Sequence, residues 1–368
     1  MGVGQVRGDE RQCTRMRTRF ALVCVFALLT GAGMTGCAVD PASSDSASES
    51  GAAGKPDCVR AATAEAQSSV EPIADAPEPE LPVTYTDRTG QPVTISDASR
   101  ILALDSYGTL AATVYALGLG DRLVGRDVST GIPALADLPL VTHNGHELNG
   151  EAILDLQPTV ILTDYSIGPL EVQLQLMESG IPVVIMSDQR ARDEIVRQIE
   201  AVAEVLGVPD AGAQLVERVS DEIAAAEGRV AELAPRVAED RLRMVFLYMR
   251  GNAGVYYWFG EGSGADDLVE ALGGVDVASE TGLDGMRPLN AEGLVDAQPE
   301  LIIMMTQGLE SVGGLDGLLD VPGVAETPAG VDSCVVDMRD DQVLSFGPQY
   351  PATLDALAEA IYTQATDG

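Results

Sequence analysis

Two stretches of this chain are near copies of one another. NGEAILDLQPTVIL over residues 149–162 returns as NAEGLVDAQPELII over residues 290–303, 141 residues later. Each copy reads as a short helix opened by Asn, closed by Gln-Pro and followed by a buried β-strand. Two copies at so long a period do not make a solenoid, whose units recur every roughly 20–50 residues. They imply two similar α/β lobes, each presenting one glutamate, Glu151 or Glu292, at the start of an equivalent helix.

The N-terminal residues 1–36 read as a targeting segment. Arg15, Arg17 and Arg19 precede an apolar run over 20–34 that is short for a membrane span. Met-Thr-Gly then leads into Cys37, a pattern that resembles a bacterial lipoprotein signal cleaved before that cysteine; Met16 is an alternative start. Lipidation at Cys37 would hold the mature chain on the outer face of the cell membrane, since two acyl chains suffice for stable anchoring. An uncleaved anchor helix is the other reading. Residues 37–81, rich in Ser, Ala, Pro, Asp and Glu without apolar periodicity, read as a disordered acidic tether.

The remaining chain, from residue 82 on, is too long for one ordinary core and fits two lobes. Strand and helix patterns alternate over 82–190, as in Ile101-Leu-Ala-Leu, a helix over 109–117 and a strand over 181–186. Residues 191–240 are Ala/Glu-rich, with Leu215, Val219, Ile223, Val230 and Leu233 at helical spacing, and read as one long interlobe helix. Residues 241–368 repeat the strand–helix logic, opening on a strand from Arg243 and closing on a helix over 352–363. The expected fold is therefore α/β, with two Rossmann-like lobes and a ligand cleft between them.

The formal charge is −35, and removal of the targeting segment takes it to about −38. Nucleic acid and anionic lipid surfaces are poor partners for such a chain. Of five cysteines, Cys13 and Cys24 leave with the signal and Cys37 is the lipid site. An oxidising address permits a disulfide between Cys58 and Cys334, against two free thiols.

The cysteine-containing leader, the acidic tether, ILALDSYGTLAATVYALGLGDRLVGRD over 101–127, the twin Glu…Gln-Pro segments and the interlobe helix together resemble the substrate-binding lipoproteins of ABC importers. The resemblance spans residues 95–363 and points to the class III group that serves iron–siderophores, cobalamin and haem. It implies a cargo-binding protein, not an enzyme, that docks through Glu151 and Glu292 onto a permease dimer coupled to ATPase subunits. A glutamate near a helix N-terminus also complements the helix dipole, worth about 0.3–1 kcal/mol, and both roles can hold.

The choice of cargo turns on few residues. The two histidines, His143 and His146, share the loop before the first copy. Met244, Phe246, Tyr248 and Arg250 alternate along one strand, which sends Tyr248 and Arg250 to the same face at its carboxyl end. A guanidinium beside a phenol favours phenolate, a hard ligand for ferric iron, and imidazole is an accepted axial partner.

NGHELNGE over 144–151 and VFLYMRGNAGVYYWFG over 245–260 are similar to the haem-binding lipoproteins of actinobacterial haem importers. That likeness implies axial ligation by His146 and Tyr248, with His143 in reserve, and Arg250 bonded to the tyrosine. In the aromatic run at 256–259, Tyr257 is a candidate to lie against the porphyrin, and a plain packing hairpin is the alternative. An upstream haem-binding surface protein is a further candidate partner. An iron–siderophore or cobalamin carrier remains the alternative, with Arg126, Arg250 and Arg287 as candidate anion receptors.

Other chemistries lack their residues. Two histidines without H-x-x-x-H or C-x-x-C give no structural zinc set. Gly260-Glu-Gly-Ser-Gly lacks the lysine of a phosphate loop, and no nucleophile elbow has a histidine partner.

Overall fold

The computed structural model describes residues 58, 60–67, 70–73 and 75–363. The targeting segment 1–36, Cys37 and the first part of the expected tether lie outside them. Among the described residues no helix is long and apolar enough to cross a membrane.

Two separate sheets organise the chain. The first holds Ile101–Leu104, Val160–Thr163 and Val183–Ile185 in that order, all parallel, with Ile101 opposite Val160 and Ile161 opposite Val183. Every residue of these strands is buried, as expected for a parallel sheet covered on both faces, and this is why they read as continuous apolar runs. The second sheet runs Ala62–Ala64, Val335–Met338, Leu301–Met305, Arg243–Arg250, Val255–Phe259, Met286–Pro288, with Val275–Asp276 also paired to the start of Arg243–Arg250. Its first three junctions are parallel and its last two antiparallel.

The two sequence copies adopt matching local structure. Helix Gly150–Asp155 precedes strand Val160–Thr163, and helix Ala291–Ala297 precedes strand Leu301–Met305. Asn149 caps the first helix by accepting from the Ala152 N–H at 3.1 Å, whereas Asn290 makes no such bond. Both helices end on a glutamine in the left-handed region, Gln157 at φ 47° and Gln298 at φ 50°. The proline that follows each one disfavours the right-handed helical conformation at that glutamine. The recurring Gln-Pro thus encodes a recurring turn.

The helical stretch expected over 191–240 is divided. Helix Arg192–Val205 stops at Gly207, whose φ of 69° is left-handed and whose carbonyl accepts the Glu80 N–H at 2.7 Å. A β-carbon at Gly207 would fall 2.7 Å from the Glu80 carbonyl oxygen, so glycine is required there. Proline at the first turn then starts the long helix Pro209–Leu233. Its 25 residues span about 37 Å at 1.5 Å per residue. Leu215, Val219, Ile223, Ala226 and Val230 form its buried stripe, while Leu233, expected in that stripe, is 41% exposed. The stripe packs on the final helix, Tyr350–Tyr362, and on Arg192–Val205.

Part of the expected tether is built into the fold. Ala62–Ala64 is a parallel edge strand beside Val335–Met338, and Thr63 Oγ1 donates to Asp337 Oδ1 at 3.0 Å. Cys58 and Cys334 are joined by a disulfide, with Cα atoms 5.7 Å apart. Further along, the Ile73 N–H donates to the Ala116 carbonyl at 2.7 Å. Three residues of Ala-Thr-Ala carry too little apolar contrast to show as a strand, and their partner lies 274 positions away. The tether reading over 37–81 is corrected for this stretch.

Candidate ligand-binding cleft

Between the two sheets lies a cavity of about 1360 Å³. One wall is made of loops at the carboxyl ends of the first sheet's strands: Ser106 and Tyr107 after Ile101–Leu104, and Ser166 after Val160–Thr163. The 126–136 loop and the 144–146 turn complete it. The opposite wall is the end of strand Arg243–Arg250, its hairpin partner Val255–Phe259 and the segment 339–341. Ligands in open α/β sheets sit at such strand ends.

Tyr248 and Arg250 enter this cavity together, as the strand alternation predicts. The Arg250 guanidinium carbon stands 4.5 Å from the Tyr248 ring centroid. Its hydrogen bonds go to Asp340 Oδ2 at 2.7 Å and the Met249 carbonyl at 2.9 Å. Arg250 therefore meets Tyr248 through the ring face, which differs from the expected bond to the phenol oxygen: Asp340 captures the guanidinium edge. Tyr257 lies opposite Tyr248 across the hairpin, and Tyr257 and Phe259 both line the cavity while Trp258 points to the buried side. The aromatic run is thus a packing hairpin and a cavity wall at once.

His146 sits at a turn made by Asn144 and Gly145, at φ 46° and 89°. It lines the cavity, and its Nδ1 is 3.3 Å from Ser129 Oγ. Burial holds its pKa below the ordinary value, and the positive charge of Arg250 on the facing wall adds to this, against the pull of Asp340. His143 points elsewhere: its side chain is half exposed and its Nε2 lies 3.4 Å from Glu147 Oε2. The structure brings His146, Tyr248, Arg250 and Tyr257 into one cavity and leaves His143 out. Of the candidate anion receptors, Arg126 and Arg250 line it; Arg287 does not, standing on the exposed edge strand Met286–Pro288. Met305 reaches the cavity and Met304 is core.

Glu151 and Glu292 are both exposed, each the second residue of its helix. That placement serves the helix dipole and leaves both carboxylates on the surface.

Sequence reasoning missed the polar floor. Asp105, Asp127 and Asp164 are fully buried, and Arg190 reaches Asp164 at 2.9 Å and Asp105 at 3.8 Å. Burial, then the neighbouring Asp164, pushes Asp105 up to about 6; burial, then Asp105, pushes Asp127 up to about 7. Arg190 also stacks 4.3 Å from the centroid of Tyr107, which lines the cavity and whose phenol is pushed up by burial. The usable signal was an aspartate following a strand or turn: Leu104-Asp105, Arg126-Asp127, Thr163-Asp164.

The periplasmic binding protein family model matches residues 106–342, which include both walls of the cavity. The chain belongs to the periplasmic binding protein family. This periplasmic binding protein is similar to the haem-binding protein HmuT, with 44% identity and a TM-score of 0.80 over 83% of this chain and 98% of that one. HmuT variants with alanine in place of a histidine, a tyrosine or an arginine have also been solved, the tyrosine and arginine standing two positions apart. It is similar too to the periplasmic haem-binding protein RhuT from Roseiflexus sp. RS-1, with 34% identity and a TM-score of 0.66 over 73% of this chain and all of that one. The uncharacterised ABC transporter substrate-binding lipoprotein YvrC of Bacillus subtilis (strain 168) is 27% identical over 290 residues, 77% of this chain and 86% of YvrC.

Proposed function

We propose that this chain is an extracytoplasmic haem-binding lipoprotein of an ABC importer, anchored through Cys37, that carries haem to the permease. It holds ferric haem in the cavity between His146 and Tyr248, one axial ligand from each wall. The observation that carries this reading is their convergence: a half-buried imidazole with a depressed pKa faces a phenol backed by Arg250 across one cavity. The same residue types, with the same Tyr–Arg spacing, were replaced in HmuT. On this reading residues 82–190 and 241–368 form the two lobes with the helical region 191–240 between them, and Ala62–Ala64 adds an edge strand to the second.

Each protein group has a separable task. The His146 imidazole, whose pKa burial lowers, offers a nitrogen lone pair in its neutral form. Tyr248 offers oxygen, and Arg250 places positive charge over its ring while Asp340 fixes the guanidinium. Tyr257, Phe259 and Met305 supply apolar surface for a flat macrocycle. Glu151 and Glu292, one per lobe, pair with basic residues of the permease, and separation of the lobes there withdraws one ligand and releases the cargo. The chain itself catalyses no reaction; ATP is hydrolysed by another subunit.

A visible-absorption titration of the protein with ferric haem tests this. The wild type gives a saturable Soret shift, and His146→Ala and Tyr248→Ala each change its position and weaken binding. Glu151→Arg with Glu292→Arg leaves the titration intact and abolishes haem-dependent growth. No saturable shift in the wild type would remove haem as cargo and turn attention to ferric siderophores on the same cavity.

A further inference from the structure

We propose that Ser129 is the positioning residue for the histidine ligand, holding His146 in the tautomer that carries its hydrogen on Nδ1 and leaves Nε2 as the ligating atom. The ligating role of His146 rests on the function proposed above; the tautomer does not.

The argument is an accounting of one hydrogen. Ser129 Oγ stands 2.8 Å from the Ser106 carbonyl oxygen and 3.3 Å from His146 Nδ1. A carbonyl can only accept, so the shorter contact uses the single hydroxyl hydrogen of Ser129. The hydroxyl then has only lone pairs left for His146, and Nδ1 must be the donor. A neutral imidazole, the only form that can ligate a metal, carries a single N–H. Nε2 is therefore bare. A metal-ligating histidine commonly has its other nitrogen fixed in this way by a hydrogen-bond acceptor.

The hydroxyl is held rigidly enough to impose the choice. Asp127 Oδ1 accepts from the Ser129 N–H and from Thr130 Oγ1, both at 2.9 Å, and its Oδ2 accepts from the Asp105 N–H at 3.0 Å. Ser106 is pinned in turn, its N–H donating to Ser166 Oγ at 3.0 Å. Gly108, at φ 68°, lets its backbone press on the Ser129 carbonyl, where any β-carbon would collide. Three loops, at 105–108, 127–130 and 164–166, thus converge to aim one hydroxyl at one imidazole.

The test begins on the ligand-free protein and needs no haem. Long-range ¹⁵N–¹H NMR reads the histidine tautomers directly, and with two histidines in the chain His143→Gln assigns the signals. The expected result is an Nδ1–H tautomer for His146 in the wild type and in Ser129→Thr, and a shift towards Nε2–H in Ser129→Ala. An Nε2–H signal in the wild type, or an unchanged tautomer ratio in a folded Ser129→Ala, overturns the proposal. With haem, Ser129→Ala is expected to lose roughly 10–100-fold in affinity, with Ser129→Thr restoring most of it. If the tautomer shifts as expected but haem affinity does not move, Ser129 still orients the ring, and it is the histidine's role as ligand that fails.

Discussion

At the residue scale, packing and the proposed ligation meet in Tyr248 and can be separated there. Its ring stacks on Phe259 with centroids 6.0 Å apart and takes the Arg250 guanidinium on its face. Tyr248→Phe keeps both contacts and deletes only the oxygen. Thermal stability of the ligand-free protein should change by less than about 1 kcal/mol, while haem affinity falls sharply. Equal affinity in calorimetric titration would mean that the oxygen is not a ligand.

The buried aspartates give the second prediction at this scale. Asp105 and Asp127 sit at about 6 and about 7 in the folded chain against an ordinary 3.8. The folded state therefore binds these protons more tightly than the unfolded chain does. Their contribution to stability is full below about pH 4 and is lost as pH rises through 6 to 7. Asp127→Asn cannot ionise, but it also gives up acceptor capacity towards Ser129, Thr130 and Asp105. Its melting temperature should start lower than the wild type's near about pH 5 and fall less between there and about pH 8. Parallel melting profiles for the two proteins would refute the assignment.

Among elements, the edge strand Ala62–Ala64 depends on partners far away in sequence. One side of it pairs with Val335–Met338, and the Cys58–Cys334 disulfide lies just ahead of it. The bond closes a loop with a sequence separation of 276, which restricts the unfolded chain strongly. Cys58→Ser should cost about 2–5 kcal/mol and speed amide exchange at Ala62–Ala64. Neither cysteine lines the cavity, so haem titration should be unaltered. A loss of haem binding as large as the loss of stability would tie this strand to the site. Elements of this kind are illegible in sequence because nothing in Ala-Thr-Ala announces them. By contrast, the central strands of both sheets are legible because burial on both faces demands continuous Val, Leu and Ile. The break at Gly207 was missed in reading 191–240 as one helix, although Gly-Val-Pro is a helix stop followed by a helix start.

For the whole molecule, the legibility of the cavity follows how each wall is built. Tyr248 and Arg250 were visible because one strand's alternation fixes both. His146 and His143 are three residues apart in the same polar loop, and only the Asn144–Gly145 turn sends one inward. Tyr107, Ser129 and Arg190 come from separate loops, and no local pattern relates them before the chain folds. The same tertiary assembly bears on motion. Across the floor of the cavity, Ser345 Oγ donates to the Tyr107 carbonyl at 3.1 Å. Gly347 lies so close to Thr109 that a β-carbon would fall 2.7 Å from its Cγ2. Gly264, at φ 88°, leaves no room for a side chain against Arg190 and Phe346, at 2.7 and 2.9 Å. With these contacts and the long helix Pro209–Leu233 packed on the last helix, the halves of the free protein have little freedom to hinge, and their proposed separation needs the permease. X-ray scattering should therefore give indistinguishable radii of gyration with and without haem. Gly264→Val, which wedges a branched side chain against Arg190 and forces an unfavourable left-handed conformation, should lower the melting temperature and weaken haem binding. A clear contraction of the wild type on haem addition would instead mean that the cleft closes around its cargo, and that the floor contacts form only in that closed state.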